Sequence, residues 1–220
     1  VGISGVTDPS QPVERRLGLT RQCLEVLARY RNPTAIVTKN ALVERDADLL
    51  GEMAGRKTAV VYLSITTLDA DLARRMEPRT SHPLRRLEAI SRLTERGVPC
   101  GLLMAPVVPG LTDHELPEVV RAAADAGARY ASYIALRLPG AVAGLFEAWL
   151  EEHYPDRKGK ILGRILAMRG GRLNDPRFGS RMRGEGVLAD QVAALFDNAR
   201  KRAALPAAGA PLIGEHFRRP

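Results

Sequence analysis

Short apolar runs alternate with amphipathic stretches along the first 140 residues. The opening run Val1-Gly2-Ile3-Ser4-Gly5 reads as a strand. Residues 12–30 follow as a helix, with Pro12 at its first turn and Leu17, Leu24 and Leu27 on one side. Residues 34–38 predict a second strand, and residues 46–54 a short helix capped by Asp46. Residues 59–65 are nearly continuous in apolar side chains, which suits a parallel strand covered on both faces. Helices are expected over 69–76 and 83–96, with Gly97 and Pro99 as the stop. A strand over 100–108 leads to a helix capped by Thr112 or Asp113 and ended by Gly127. A fifth strand, 130–138, stops at Pro139-Gly140.

Repeated βαβ units give a parallel sheet with right-handed crossovers. Two architectures fit five such units: an open doubly wound sheet, or part of a (β/α) barrel. No GxGxxG or GxxxxGK[ST] loop follows any strand, which counts against a dinucleotide or P-loop site. Beyond residue 140 the character changes. Helices are expected over 141–153 and 158–169, broken by Gly170-Gly171, and again over 187–204. An Arg- and Gly-rich loop, 172–186, lies between them. The predicted organisation is an α/β body over 1–140, a helical extension over 141–205 and an Ala-, Gly- and Pro-rich flexible tail over 206–220.

Charge sharpens that division. Residues 1–154 carry 19 Lys+Arg and 19 Asp+Glu, whereas residues 155–220 carry 14 and 6, so the second part holds the whole net charge of +8. A neutral body with a basic end points to a polyanion partner such as nucleic acid. Against it stands a solvated surface written in an arginine-preferring composition, since only five of the 33 basic residues are lysine. The two cysteines, Cys23 and Cys100, are far apart and form no CxxC or CxxxCxxC spacing. They exclude a disulfide framework or an all-cysteine metal site within the chain, and read as small buried apolar residues. The four histidines make no HxH or HxxxH pair, and no serine sits in GxSxG. No apolar run is long enough to cross a membrane, and no signal segment opens the chain, so it reads as cytoplasmic.

In either architecture the chemistry lies at the C-terminal ends of the strands. Those ends are Thr7-Asp8, Thr38-Lys39-Asn40, Ser64-Ile65-Thr66-Thr67, Ala105-Pro106 to Pro109, and Leu136-Arg137. They are polar, and their lysine, aspartate, arginine and hydroxyls could hold a small zwitterion bearing a carboxylate and an amine. Individually each has a plainer role: Asp8-Pro9 as a turn, Lys39 as a solvated charge, Glu77 and Arg79 as a surface pair.

These stretches, in this order, resemble the radical S-adenosylmethionine (radical SAM) proteins of the spore photoproduct lyase-like group. The resemblance is carried by Thr7-Asp8-Pro9-Ser10-Gln11-Pro12-Val13-Glu14, Ile36-Val37-Thr38-Lys39-Asn40, Leu63-Ser64-Ile65-Thr66-Thr67-Leu68-Asp69 and Met76-Glu77-Pro78-Arg79. It continues through Ala105-Pro106-Val107-Val108-Pro109-Gly110-Leu111-Thr112-Asp113, Leu136-Arg137-Leu138-Pro139 and Met168-Arg169-Gly170-Gly171 to Gly184. It implies a parallel-stranded partial (β/α) barrel with a helical C-terminal extension. It also implies a 4Fe-4S cluster on a CxxxCxxC loop after the first barrel strand, and an electron donor.

That loop does not occur here, so the opening run matches the second barrel strand. The expectation is a chain lacking the cluster-binding part and inactive by itself. Ser10 departs from the aromatic residue common in relatives. In the family the cofactor is S-adenosylmethionine (SAM), cleaved by one electron to a radical that abstracts hydrogen from a substrate, here unknown and expected to be nucleic acid if the basic region contacts it. By position, Thr7, Asp8, Gln11, Thr38, Lys39, Ser64, Thr66, Pro106 and Arg137 are the implied cofactor contacts, with Lys39 toward the carboxylate, Ser64 and Thr66 toward the carboxylate or ribose, Thr7 and Asp8 toward the amino group, and Pro106 and Arg137 toward the adenine. The alternatives of other classes are a non-catalytic polyanion-binding module and a metal-free barrel lyase with Lys39 as a Schiff-base nucleophile.

Overall fold

The computed structural model describes residues 1–4 and 7–219. Gly5, the expected end of the first strand, and Pro220 lie outside the described residues. Among the described residues five strands form one sheet: β1 (Gly2–Ile3), β2 (Thr34–Thr38), β3 (Ala59–Ser64), β4 (Cys100–Val107) and β5 (Tyr130–Ala135). Every neighbouring pair is parallel, and the order is β1-β2-β3-β4-β5. The order rises without reversal, so among the described residues there is no switch point of the doubly wound kind. Of the two architectures open to the sequence, the partial barrel is the one adopted.

Alternation along the strands sorts the two faces of the sheet. In β2, Thr34, Ile36 and Thr38 are buried while Ala35 and Val37 are only half-buried. In β3 every residue is buried except Tyr62. Ile36, Val61, Leu63, Leu102 and Met104 belong to the main core with helices α2 (Leu19–Arg29), α3 (Ala47–Gly55), α5 (Pro83–Glu95) and α6 (Leu116–Asp125). Truncating one of these to alanine would cost about 2–5 kcal/mol. The opposite, concave face carries Val37, Tyr62 and Leu103 and is left partly open.

Three local expectations are corrected. The helix over 12–30 is two pieces, α1 (Glu14–Leu17) and α2, separated by Gly18 at φ +61°. A glycine accepts that left-handed conformation without the strain a side chain would add. Asp46 does not cap α3: a 3₁₀ turn, Ala41–Asp46, precedes the helix, and Asn40 caps that turn by accepting from Leu42 N at 3.0 Å. Asp46 is instead gripped by Arg45 at 2.8 Å and Arg21 at 3.3 Å. Cys23 is exposed, since it falls on the outer side of α2, whereas Cys100 is buried as expected.

A second apolar cluster sits over the C-terminal ends of β4 and β5. It joins Leu72 of α4 (Ala70–Met76), Val108, Leu138, Leu150 of α7 (Val142–His153), and Ile161 and Ile165 of α8 (Pro155–Ala167). Trp149 of α7 donates to Arg75 O at 3.2 Å, tying the extension to the body. The last helix, α9 (Val187–Arg202), returns to the main core through Val192, Phe196 and Ala199.

The final segment holds no helix or strand but runs beneath the sheet. Ala210 N donates to the Tyr62 hydroxyl at 3.3 Å, Ile213 N to Lys57 O at 3.1 Å and Arg218 N to Tyr30 O at 2.9 Å. Lys57 and Tyr30 stand before β3 and β2, so this crossing lies at the N-terminal ends of the strands. Among the described residues no helix is long and apolar enough to cross a membrane.

Candidate active site

Parallel strands in rising order bring the polar residues at their C-terminal ends together. Ser4, Thr7, Asp8, Thr38, Lys39, Ser64 and Ala105 line one cavity of about 410 Å³ with Val37 and Leu103 at its base. Asp8 acts as a latch between β1 and β2. Its carboxylate accepts from Thr38 Oγ1 at 2.6 Å, Lys39 N at 2.7 Å and Ser10 N at 2.8 Å. Thr38, fully buried, commits its hydroxyl to that latch.

The centre of the site is Lys39. Its Nζ donates to Ala105 O at 2.7 Å and to Thr66 Oγ1 at 3.3 Å, and pairs directly with Glu77. Ala105 O also accepts from Ser64 Oγ at 3.1 Å and Thr66 Oγ1 at 3.0 Å, so one carbonyl gathers three donors from two neighbouring strand ends. Behind Lys39, the other oxygen of Glu77 accepts from Arg86 Nη2 at 2.9 Å. Arg86 is 1% exposed and also donates to Ser64 O and Ser81 O, each at 2.7 Å, and to Thr80 Oγ1.

Burial works against both charges of the central pair. It pushes the Lys39 ammonium below its ordinary value, with Arg86 adding to the push and Glu77 opposing it. On Glu77 burial acts upward, but the Lys39 and Arg86 cations and the Thr66 hydrogen bond outweigh it and hold the carboxyl below the ordinary range. Two cations share one carboxylate, and the surplus positive charge faces the cavity through the half-buried Lys39.

Other implied contacts stand apart from this cluster. Gln11 is exposed and does not line the cavity. Pro106 follows the convergent carbonyl, at a slip in the β4–β5 register between Met104 and Val107, and does not line the cavity either. Arg137 lies beyond β5, half-buried; its nearest polar contact is Met182 Sδ at 3.9 Å, and its Nε is buried without a hydrogen-bond partner.

Glu77, Arg86 and the Ala105 carbonyl were not among the residues expected from the sequence. Glu77 is not the surface partner of Arg79 but a buried partner of Lys39 and Arg86. The signal for Arg86 was its spacing: it falls on the apolar stripe of α5 with Ala89, Ile90 and Leu93, where a charge needs a buried partner. A backbone carbonyl leaves no trace in a sequence.

The model of the radical SAM superfamily matches residues 3–123, from β1 through most of α6. The chain belongs to the radical SAM superfamily. An uncharacterized protein of Mycobacterium tuberculosis is 34% identical over 158 residues, covering 71% of this chain and 46% of the relative. An uncharacterized protein of Methanocaldococcus jannaschii is 31% identical over 113 residues, 51% of this chain and 42% of the relative. The chain thus spans less than half the length of these relatives. Among solved structures, two single-substitution variants of spore photoproduct lyase superpose with TM-scores of 0.60 and 0.58. Both are 16% identical, and each match covers 91% of this chain and 57% of the lyase. The fold is therefore the spore photoproduct lyase-like radical SAM fold.

Membership implies two groups, and the described residues suit them unequally. The cavity over Lys39 and Ser64 fits the amino-acid end of SAM: a cation for its carboxylate, and hydroxyl and carbonyl oxygens for its donors; the implied contact Thr66 is buried behind Lys39 and does not line it. The cluster finds no such fit. Among the described residues no group of three or more His, Cys, Asp or Glu could hold a metal ion. Cys23 lies outward on α2, and Cys100 opens β4 at the end of the strand away from the cavity, with burial pushing its thiol up to about 12.

Proposed function

We propose that this chain is the SAM-binding portion of a radical SAM enzyme, and that these residues alone bind the cofactor without turning it over. The observation that carries the reading is the convergence of Lys39, Ser64 and Thr66 on one carbonyl at the C-terminal mouth of the sheet. Bound beside a 4Fe-4S cluster, SAM supplies the hydrogen-abstracting chemistry of the family. The residues of this chain do the rest. Lys39 receives a carboxylate, Ser64 borders it on the cavity wall, Thr66 holds Lys39 from behind, and Asp8 fixes the loop beside the site.

The three donors of the Lys39 ammonium are already engaged with Glu77, Ala105 and Thr66. Cofactor binding is therefore an exchange in which the ligand carboxylate takes the place of one protein partner, while Arg86 retains Glu77. The test compares S-adenosylhomocysteine with 5′-methylthioadenosine, which lacks the amino-acid end, by titration calorimetry on wild type and Lys39→Met. S-adenosylhomocysteine should lose tenfold or more in affinity and methylthioadenosine should be unaffected. No binding of S-adenosylhomocysteine to wild type overturns the reading.

A second reading concerns the partner, and one feature favours it. Phe178 is 89% exposed on the arginine-rich loop, with the Arg181 guanidinium 4.2 Å from its ring centre. An exposed ring beside a guanidinium suits stacking on a nucleobase next to a phosphate, so a single-stranded nucleic acid is the partner this loop would take.

A further inference from the structure

Below the cofactor cavity lies a second chamber that none of the functional residues above explains. It measures about 510 Å³ and shares Val37 and Leu103 with the upper cavity, so the two follow one another down the concave face of the sheet. Its walls are aromatic: Tyr62 from β3, Tyr130 and Tyr133 from β5, and Phe196 from α9. Its floor is the final segment, through Ala207 and Gly209. Tyr62 stands two residues before Ser64 on the same strand face, so its Cα lies roughly 7 Å, one pleat, beneath that of Ser64.

Two polar groups beside this chamber are without full partners. Tyr133 is 2% exposed and lines the chamber, and its hydroxyl has no hydrogen-bond partner. That hydroxyl is shut off from the chamber: Tyr133 pairs with Met104 in the β4–β5 register and turns to the core, against Phe196, so only its ring edge reaches the wall. Arg183 lies with its guanidinium carbon 3.9 Å from the Tyr133 ring centre and reaches only Ser132 Oγ, at 3.4 Å. The other lining arginine, Arg200, is committed to Asp197 and to Leu205 O. Among the described residues Arg183 is thus the lining cation that no carboxylate balances.

We infer that the lower chamber binds a small planar aromatic anion. Its ring lies against Tyr62 and Tyr130, and its anionic group sits on Arg183 and Ser132. A chamber of about 510 Å³ has room for a ligand of this size. Its meaning as a substrate pocket rests on the reading of the upper cavity as the SAM site, one pleat above; binding itself does not.

The chain has five tyrosines, three of which line the chamber, so Tyr30 and Tyr154 serve as internal controls. The 220-residue chain, labelled with ¹³C-tyrosine, is titrated by NMR with 2-naphthoate, 2-naphthalenemethanol and cyclohexanecarboxylate. Naphthoate should give saturable shifts at Tyr62, Tyr130 and Tyr133 and none at Tyr30 or Tyr154. The neutral alcohol and the non-aromatic acid should bind at least tenfold more weakly. Arg183→Met, at an exposed position, should weaken naphthoate tenfold and leave the alcohol unchanged. No saturable shift, equal shifts at all five tyrosines, an alcohol that binds as tightly as the acid, or an Arg183 variant that binds naphthoate normally would each overturn the inference. S-adenosylhomocysteine is titrated separately. Its failure with naphthoate still bound removes the cofactor reading and leaves the chamber. Mutual exclusion of the two ligands removes the two-chamber arrangement.

Discussion

The ring of Tyr62 lies flat across Gly101: a Cβ built on that glycine would stand 2.5 Å from two of the ring carbons. The strand pairing sets them side by side, Tyr62 opposite Gly101 in the β3–β4 register. A glycine in mid-strand is otherwise a weakness, and here it is the seat on which an aromatic wall of the lower chamber rests. Gly209 approaches from below, its built Cβ 3.0 Å from the Tyr62 hydroxyl, so the ring is held at both ends.

Replacing Gly101 with alanine should therefore tilt the ring into the chamber. The expected cost is about 1–3 kcal/mol, the usual range for an overpacked site. Thermal unfolding of Gly101→Ala reads the cost, and the Tyr62 ring resonances report the displacement. An unchanged midpoint with unchanged Tyr62 shifts would show that the ring is not confined.

Glu77 sets an acid limit on the fold. Its carboxyl titrates below its unfolded value of about 4.5, so its contribution is complete above that value and is lost as pH falls through the lower folded one. Removing one member of a buried ion pair costs about 3–5 kcal/mol. Glu77→Gln should be less stable than wild type by an amount of that order at pH 7 in urea melts, with the gap narrowing below about pH 4. A gap independent of pH would assign the effect to shape rather than charge.

The two cysteines should separate cleanly by reactivity. Cys23 is exposed, whereas Cys100 is buried with its thiol pushed up to about 12. A thiol reagent at pH 8 should label one site at once and the second only as the chain unfolds. Fast modification of both in the native protein would place Cys100 outside the core.

A single-stranded oligonucleotide should bind through the 172–186 loop with strong salt dependence, because phosphate contacts release counterions. Phe178→Ala should weaken it by about fivefold or more, the range for one stacked base. Affinity that holds constant between low and moderate salt removes the nucleic-acid partner.

Much of this architecture was legible in the sequence because parallel strands and their connecting helices announce themselves by period. Thr34–Thr38 begins and ends where its alternation predicts. The polar ends of the strands pointed to Asp8, Lys39 and Ser64, which line one cavity. What escaped were long-range partners. Nothing near Glu77 in the sequence says that Lys39, 38 residues away, is its counterion. The split of the 12–30 helix at Gly18 escaped because glycine inside a helical pattern is tolerated as often as it breaks it. Arg137 sits at a strand end as expected, yet turns toward Met182, because the 172–186 loop gives that side chain another neighbour.

The segment that ties Tyr62, Lys57 and Tyr30 together beneath the strands has a practical consequence. Stretches without helix or strand are the first to be trimmed when a protein is shortened for crystallisation. Cutting here after Leu205 would strip Ala207 and Gly209 from the lining and leave the aromatic walls of the lower chamber bare to solvent from below.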